Sequence, residues 1–157
     1  MKTKVQFTKH GFTLLELLLT LSIVAVLLSI GFLSLQRFRA GLELRQAQQT
    51  FVQTLNRARS DARRLSQDQV ITWTDKTVTV RSNGEEREIP LTASPNIILK
   101  KESGGNRLVY QAPYGRLKAT NFAFDIIKSK DVDNVEPSLG YRVYVYGITG
   151  KVVSGAF

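Results

Sequence analysis

Glu16 is the only charged residue between Phe12 and Leu35. Its surroundings point to one piece of chemistry, the cutting of a peptide bond. If the chain is severed between Gly11 and Phe12, a new α-amine appears on Phe12, four residues before the carboxylate. A carboxylate within a bilayer costs a few kcal/mol unless it is paired. The freed ammonium of a neighbouring chain would offset that cost, and the chain's own Phe12 amine, one helical turn away, is an alternative partner. Glu16 would then encode assembly, being costly alone and satisfied by a packed neighbour. Two other readings fit the same stretch. One is an ordinary secretory signal peptide with Ser29-Ile30-Gly31 as its small-x-small cleavage site, although the apolar run continues past Gly31. The other is an uncleaved signal anchor whose Glu16 snorkels to the nearby interface.

Elsewhere the residue types for catalysis are missing. There is no cysteine, and the single histidine, His10, precedes the cut. A chain starting at Phe12 would hold neither a histidine-based triad nor a Cys/His metal site. No glycine-rich phosphate loop follows a strand. Asp131, Asp133 and Glu136 could offer oxygen ligands to calcium. Their spacing matches no EF-hand loop and Lys128 and Lys130 sit beside them, so a solvated loop is the simpler reading. No metal or cofactor is expected, and the protein reads as the substrate of an enzyme and not as one. The formal charge is +9, from 22 basic and 13 acidic residues, and taking away Lys2, Lys4 and Lys9 leaves +6. A basic remainder suits an anionic partner such as nucleic acid or lipid headgroups, or serves solubility alone. Arg142, Tyr144 and Tyr146 would share one strand face, opposite Tyr141, Val143 and Val145, with Tyr110, Tyr114, Arg116, Lys118 and Lys151 nearby. With double-stranded DNA as partner the basic groups would neutralise phosphates and the tyrosines could stack on exposed bases; in the plainer reading the tyrosines pack and the charges are solvated.

The elements that position these residues follow from periodicity. At about 1.5 Å per residue, a helix from Phe12 to Leu35 can cross a hydrocarbon core of about 30 Å. The lysines before it place the N-terminus in the cytoplasm and the rest outside, by the positive-inside tendency. No proline occurs between Phe12 and Pro90. Leu44, Ala47, Phe51, Leu55, Ala58, Ala62 and Leu65 recur at helical spacing and form a narrow apolar stripe. The pattern predicts one helix from about Phe12 to Ser66. Arg39, Arg45, Arg57, Arg59, Arg63 and Arg64 lie off the stripe, as a solvated face or as charge contacts between subunits. From Gln69 the period changes to two. Thr77 to Arg81, Asn83-Gly84 and Glu88 to Leu91 read as a hairpin, with Pro90 marking an edge. Further strands are expected at 96–100, 107–111, 120–128, 141–146 and 151–154. Phe122, Phe124 and Ile126 would face a core, and Trp73 would be buried or half-buried.

Lys9-His10-Gly11 followed by Phe12-Thr13-Leu14-Leu15-Glu16 resembles the class III leader of type IV pilins and type II secretion pseudopilins. Tyr114-Gly115-Arg116 and Gly147-Ile148-Thr149-Gly150-Lys151-Val152 are similar to the GspH/FimT branch of minor subunits. The resemblance implies cleavage after Gly11 by a prepilin peptidase, N-methylation of Phe12 and a role for Glu16 in filament assembly. Many members have a proline where this chain has Leu33. The implied protein is a minor pilin or pseudopilin in the inner membrane, built with other pilin subunits into a pilus or pseudopilus and meeting secreted cargo or DNA. Some FimT-like members are DNA receptors with a paired-arginine Gly-Arg-x-Arg motif. Here the terminal equivalent is Gly150-Lys151-Val152-Val153, and Gly115-Arg116-Leu117-Lys118 has the spacing at another place. The expected fold class is α+β, a pilin-like long N-terminal helix, membrane-spanning then amphipathic, packed on a mostly antiparallel β-sheet domain. The expected parts are a leader at 1–11, a membrane or filament-core helix at 12–35, an amphipathic continuation at 36–66 and a β-rich domain at 67–157.

Overall fold

A computed structural model describes residues 13–117, 121–128 and 140–157, without the side chains of 33, 34, 36 and 37. Gly11, Phe12, Lys118, Asp131, Asp133 and Glu136, and the side chain of Leu33, lie outside the described residues. The chain divides into two compact units, Met1–Arg39 and Ala40–Phe157. One α-helix, α1 (Leu14–Leu65), contributes residues to both.

In the first unit, Leu14–Phe32 has a mean hydropathy of 2.4 and buries none of its residues. Apolar side chains stand exposed all round it, among them Leu18, Leu21, Val24 and Leu28. A helix that is apolar on every side needs lipid or other protein around it.

The second unit holds its own core. Leu44, Ala47, Phe51, Leu55, Ala58 and Ala62 are all at most 2% exposed. Leu65, expected at the end of this stripe, is instead 45% exposed. It is the last helical residue, and Ser66 turns the chain away with a left-handed φ of 52°. Arg63 and Arg64 fall in the final turn, where positive charge complements the helix dipole.

Among the described residues nine strands follow: β1 (Gln69–Trp73), β2 (Thr77–Ser82), β3 (Glu85–Pro90), β4 (Ile97–Ser103), β5 (Leu108–Gln111), β6 (Arg116–Leu117), β7 (Phe122–Lys128), β8 (Gly140–Val145) and β9 (Val152–Ala156). They form two antiparallel sheets and not one. The first has the order β3-β2-β1-β5-β6 and the second β4-β7-β8-β9. Asn83 and Gly84 take positive φ (48° and 86°), as a two-residue hairpin turn of matching twist requires. Pro90 lies on the edge strand β3. The short strand β6 has no periodic signature, since two residues cannot show one.

Both sheets feed the core on the α1 stripe. Ile71, Val78, Leu108 and Tyr110 come from the first, and Leu99, Phe122, Phe124, Ile126, Val143 and Val145 from the second. Phe51 meets the edge of Phe124 at 5.0 Å, and Trp73, half-buried, meets Phe124 edge-on at 4.8 Å. Every residue of this cluster lies between Leu44 and Val145, so the fragment 40–157 carries the whole of it.

Candidate functional site

The first candidate is the start of α1. Thr13 and Glu16 form a capping box. The Glu16 N–H donates to Thr13 Oγ1 at 3.2 Å, and the Thr13 N–H reaches back to Glu16 Oε2 at 3.5 Å. The Thr13 hydroxyl also lies 3.5 Å from that oxygen. Thr-x-x-Glu before an apolar run is itself a helix-start signature, so the sequence carries a local duty for Glu16 that its isolation conceals. The cap contacts are long, and no cation lies within salt-bridge reach of the carboxylate among the described residues.

The second candidate is a set of basic and aromatic groups on the second unit. Arg142, Tyr144 and Tyr146 do point away from buried Val143 and Val145, as the two-residue period requires. Arg142 is occupied, however. Its Nε donates to Asp125 Oδ1 at 2.6 Å and its Nη2 to Asp125 Oδ2 at 2.5 Å. Asp125 sits on the neighbouring strand directly opposite and is buried. This bidentate bond holds the Arg142 guanidinium even more firmly charged than usual. The Phe157 ring lies over its far side, 5.1 Å from centroid to Cζ. Its charge is neutralised within the fold, which leaves Tyr144 and Tyr146 as the half-exposed groups on that face.

Arg116 belongs to the other sheet and joins a different group. It lines an open crevice with Arg59, Arg63, Tyr114, Ile148 and Thr149. Two glycines build it. Gly115 (φ 61°) follows β5, and a Cβ there would lie 2.8 Å from the Arg59 carbonyl oxygen. Gly150 (φ 63°) precedes β9, and a Cβ there would lie 2.8 Å from the Gly115 oxygen and from the Tyr110 ring. The 112–115 and 147–150 turns therefore press on one another and on the last turns of α1. The Leu117 N–H donates to the Gly147 oxygen at 3.2 Å, which ties the second sheet's turn to the first sheet, and the Gly147 N–H donates to Asn121 Oδ1 at 2.7 Å, just before β7. Arg63 Nε donates to the Tyr114 carbonyl at 2.9 Å, and the Arg116 guanidinium lies 5.3 Å from the Tyr114 ring centroid. Arg59 Nε is buried with no hydrogen-bond partner among the described residues. Beneath it, burial pushes the Tyr110 phenol up, although the charge on Arg59 pulls the other way. Lys151 is exposed beside the second turn.

The resemblance at Tyr114-Gly115-Arg116 and Gly147 to Val152 thus falls on two turns that touch. In the sequence Arg59 and Arg63 look like the other off-stripe arginines, and only their contacts with the two turns separate them from Arg57 and Arg64. Among the described residues no group of His, Asp or Glu could hold a metal ion.

Residues 7–32 match the prokaryotic N-terminal methylation motif. No protein with a curated description matches the chain by sequence. Among solved structures it is similar to the type IV minor pilin FimU of Pseudomonas aeruginosa strain PAO1. Identity is 19%, the TM-score is 0.58, and the match covers 74% of this chain and 90% of that one. It is also similar to the minor pseudopilin EpsH from the type 2 secretion system of Vibrio cholerae. Identity is 18%, the TM-score is 0.56, and the match covers 73% of this chain and 97% of that one. At such identities the likeness shows the fold. The chain thus joins a methylation motif at its N-terminus to a long helix and antiparallel sheets folded as in FimU and EpsH.

Proposed function

We propose that the chain is a minor pilin or minor pseudopilin, a structural subunit of a type IV pilus or a type II secretion pseudopilus. The observation that carries this reading is the methylation motif over residues 7–32, which takes in the apolar helical segment Leu14–Phe32 with no buried residue. A prepilin peptidase cuts after Gly11 and Phe12 is methylated. The chain waits in the inner membrane through the segment after Phe12, with the unit 40–157 outside the cytoplasm, and then enters the filament. Glu16 trades its weak cap at Thr13 for the Phe12 ammonium of a neighbouring subunit. That exchange suits a carboxylate whose own-chain contacts, both to Thr13, are 3.5 Å long. The chain performs no reaction of its own and is the substrate of its processing enzyme.

The N-terminal mass tests the reading. The full chain is expressed with and without a prepilin peptidase. A methylated Phe12 start only with the peptidase supports it, and an intact Met1 start in both would make the protein a plain signal-anchored one. Glu16→Ala separates processing from assembly. It should be cut normally and recovered from filaments at less than about a tenth of the wild-type amount, given a few kcal/mol for pairing a carboxylate within lipid.

A further inference from the structure

The crevice at Arg59, Arg63 and Arg116 is in surplus charge. Arg59 and Arg63 are four residues apart on α1, so their guanidinium groups face the same side of the helix and repel. Arg116 brings a third positive charge from β6 to the same crevice. Among the described residues none of the three has a carboxylate within 4 Å. Arg64, one position along, has Asp61 at 3.3 Å, and Arg142 has Asp125, so the described residues supply counter-charges elsewhere and none here. The crevice is also held firm. Gly115 and Gly150 fix its walls, Arg63 is anchored on the Tyr114 carbonyl, and Arg116 lies against the Tyr114 ring. Forked, prepositioned guanidinium groups with no carboxylate partner among the described residues are a receptor for planar oxyanions.

The rim narrows the choice of ligand. Ile148 is 82% exposed and Tyr114 66%, the two most exposed large apolar side chains among the described residues of the second unit. An aromatic, a branched aliphatic and arginines together make the composition of a protein-docking hot spot. A nucleic acid would use the tyrosine, but an exposed isoleucine serves it only as a wedge between base steps, which costs unstacking. We propose that this crevice binds an acidic segment of an adjoining protein subunit, with carboxylates on Arg63 and Arg116 and one apolar side chain against Ile148 and Tyr114. The idea rests on the filament reading for the identity of the partner. Its test uses only residues 40–157, so failure here leaves the Gly11, Phe12 and Glu16 chemistry untouched.

The fragment 40–157 is titrated by fluorescence anisotropy with a labelled peptide that alternates glutamate and serine around a single leucine. The comparison probe is a labelled DNA duplex of equal net charge. The peptide should bind at low salt and weaken as salt rises. Arg63→Glu and Arg116→Glu should each weaken it by about tenfold, and Ile148→Ser by about threefold. Arg87→Glu, on the strand at the opposite edge of the same sheet, makes the same change in net charge and should shift binding by less than about twofold. All four positions are exposed, and the emission of Trp73, packed on Phe122 and Phe124, checks that each variant is folded. Absence of binding, equal losses for Arg87→Glu and Arg116→Glu, or tighter binding of the duplex would each overturn the proposal.

Discussion

The two parts of α1 use apolar residues in opposite ways. From Leu14 to Phe32 the apolar side chains face every direction and none is buried. From Leu44 to Ala62 they keep to one stripe, and that stripe is sealed beneath two sheets. The charges follow the same division. Among the described residues Glu16 has only its cap contacts at Thr13, whereas buried Asp125 is satisfied twice over by Arg142. The first part leaves its interactions to be completed by something else, and the second completes them within the chain. Folding of the second unit should therefore be blind to substitutions in the first.

The contrast is broken most severely in the core. Phe51→Ala removes a fully buried ring that meets Phe124 edge-on, and should cost about 3–5 kcal/mol. Leu18→Ala removes a side chain that is 56% exposed and should leave unfolding of the second unit unchanged. Both are measured on the full chain in detergent by urea titration, with the only tryptophan, Trp73, as reporter. A shift in the unfolding midpoint for Leu18→Ala would mean that the two units are energetically coupled.

What the sequence made legible divides along related lines. Local repetition is readable. The stripe from Leu44 to Ala62 keeps helical spacing over five turns, and Asn83-Gly84 writes its own turn, so α1 and the β2–β3 hairpin follow from residue order alone. Non-local pairing does not. Nothing in the periodicity of Leu108 to Gln111 says that β5 pairs with β1 and passes over β4, so the split into two sheets has no signal in the sequence. The same holds for sites. Gly11, Phe12 and Glu16 form a contiguous motif, whereas Arg59, Arg63 and Arg116 meet only because two turns touch. Arg142 reads as a free cation in the sequence because its partner Asp125, on another strand, shows no link to it there. Leu65 keeps the spacing of the stripe but loses the burial, because the helix ends there and the sheets no longer cover it.

The Arg142–Asp125 pair gives the next largest effect. Arg142→Ala strands a carboxylate that is 6% exposed, although Arg142 itself is 41% exposed and partly screened by water. The expected loss is about 2–4 kcal/mol, below that of a fully buried pair. Adding Asp125→Ala to the same chain should recover part of it, because the orphaned charge is then gone. If the double variant is no more stable than Arg142→Ala, the pair is not the reason for the loss.

Gly150→Ala acts on the walls of the arginine crevice. The left-handed φ costs about 1–2 kcal/mol for a residue with a Cβ, and the new methyl would press on the Gly115 oxygen and the Tyr110 ring. A total near 2–3 kcal/mol is expected by the same urea titration. Gly155→Ala, on β9 with open space at its Cβ, should cost less than about 1 kcal/mol. Similar losses at the two glycines would mean that close packing of the turns is not what holds the arginines in place.

The smallest effect at neutral pH belongs to Tyr110, and it grows only in alkali. Burial holds its phenol protonated in the folded state, and the Arg59 charge reduces that bias without reversing it. A phenol in the unfolded chain ionises near pH 10. Below that pH both states keep the proton and nothing changes. As pH rises further the unfolded state releases a proton that the folded state retains, so stability drains away above about pH 10. Tyr110→Phe cannot ionise and should lose less stability over that range. At pH 7 the same substitution removes only a 3.5 Å hydrogen bond to the Gly150 carbonyl and should cost about 1 kcal/mol or less. The two curves, followed by Trp73 emission, should therefore start slightly apart and converge or cross in alkali. Parallel curves would mean that the alkaline loss comes from other groups, and that the crevice rests on a floor indifferent to proton release.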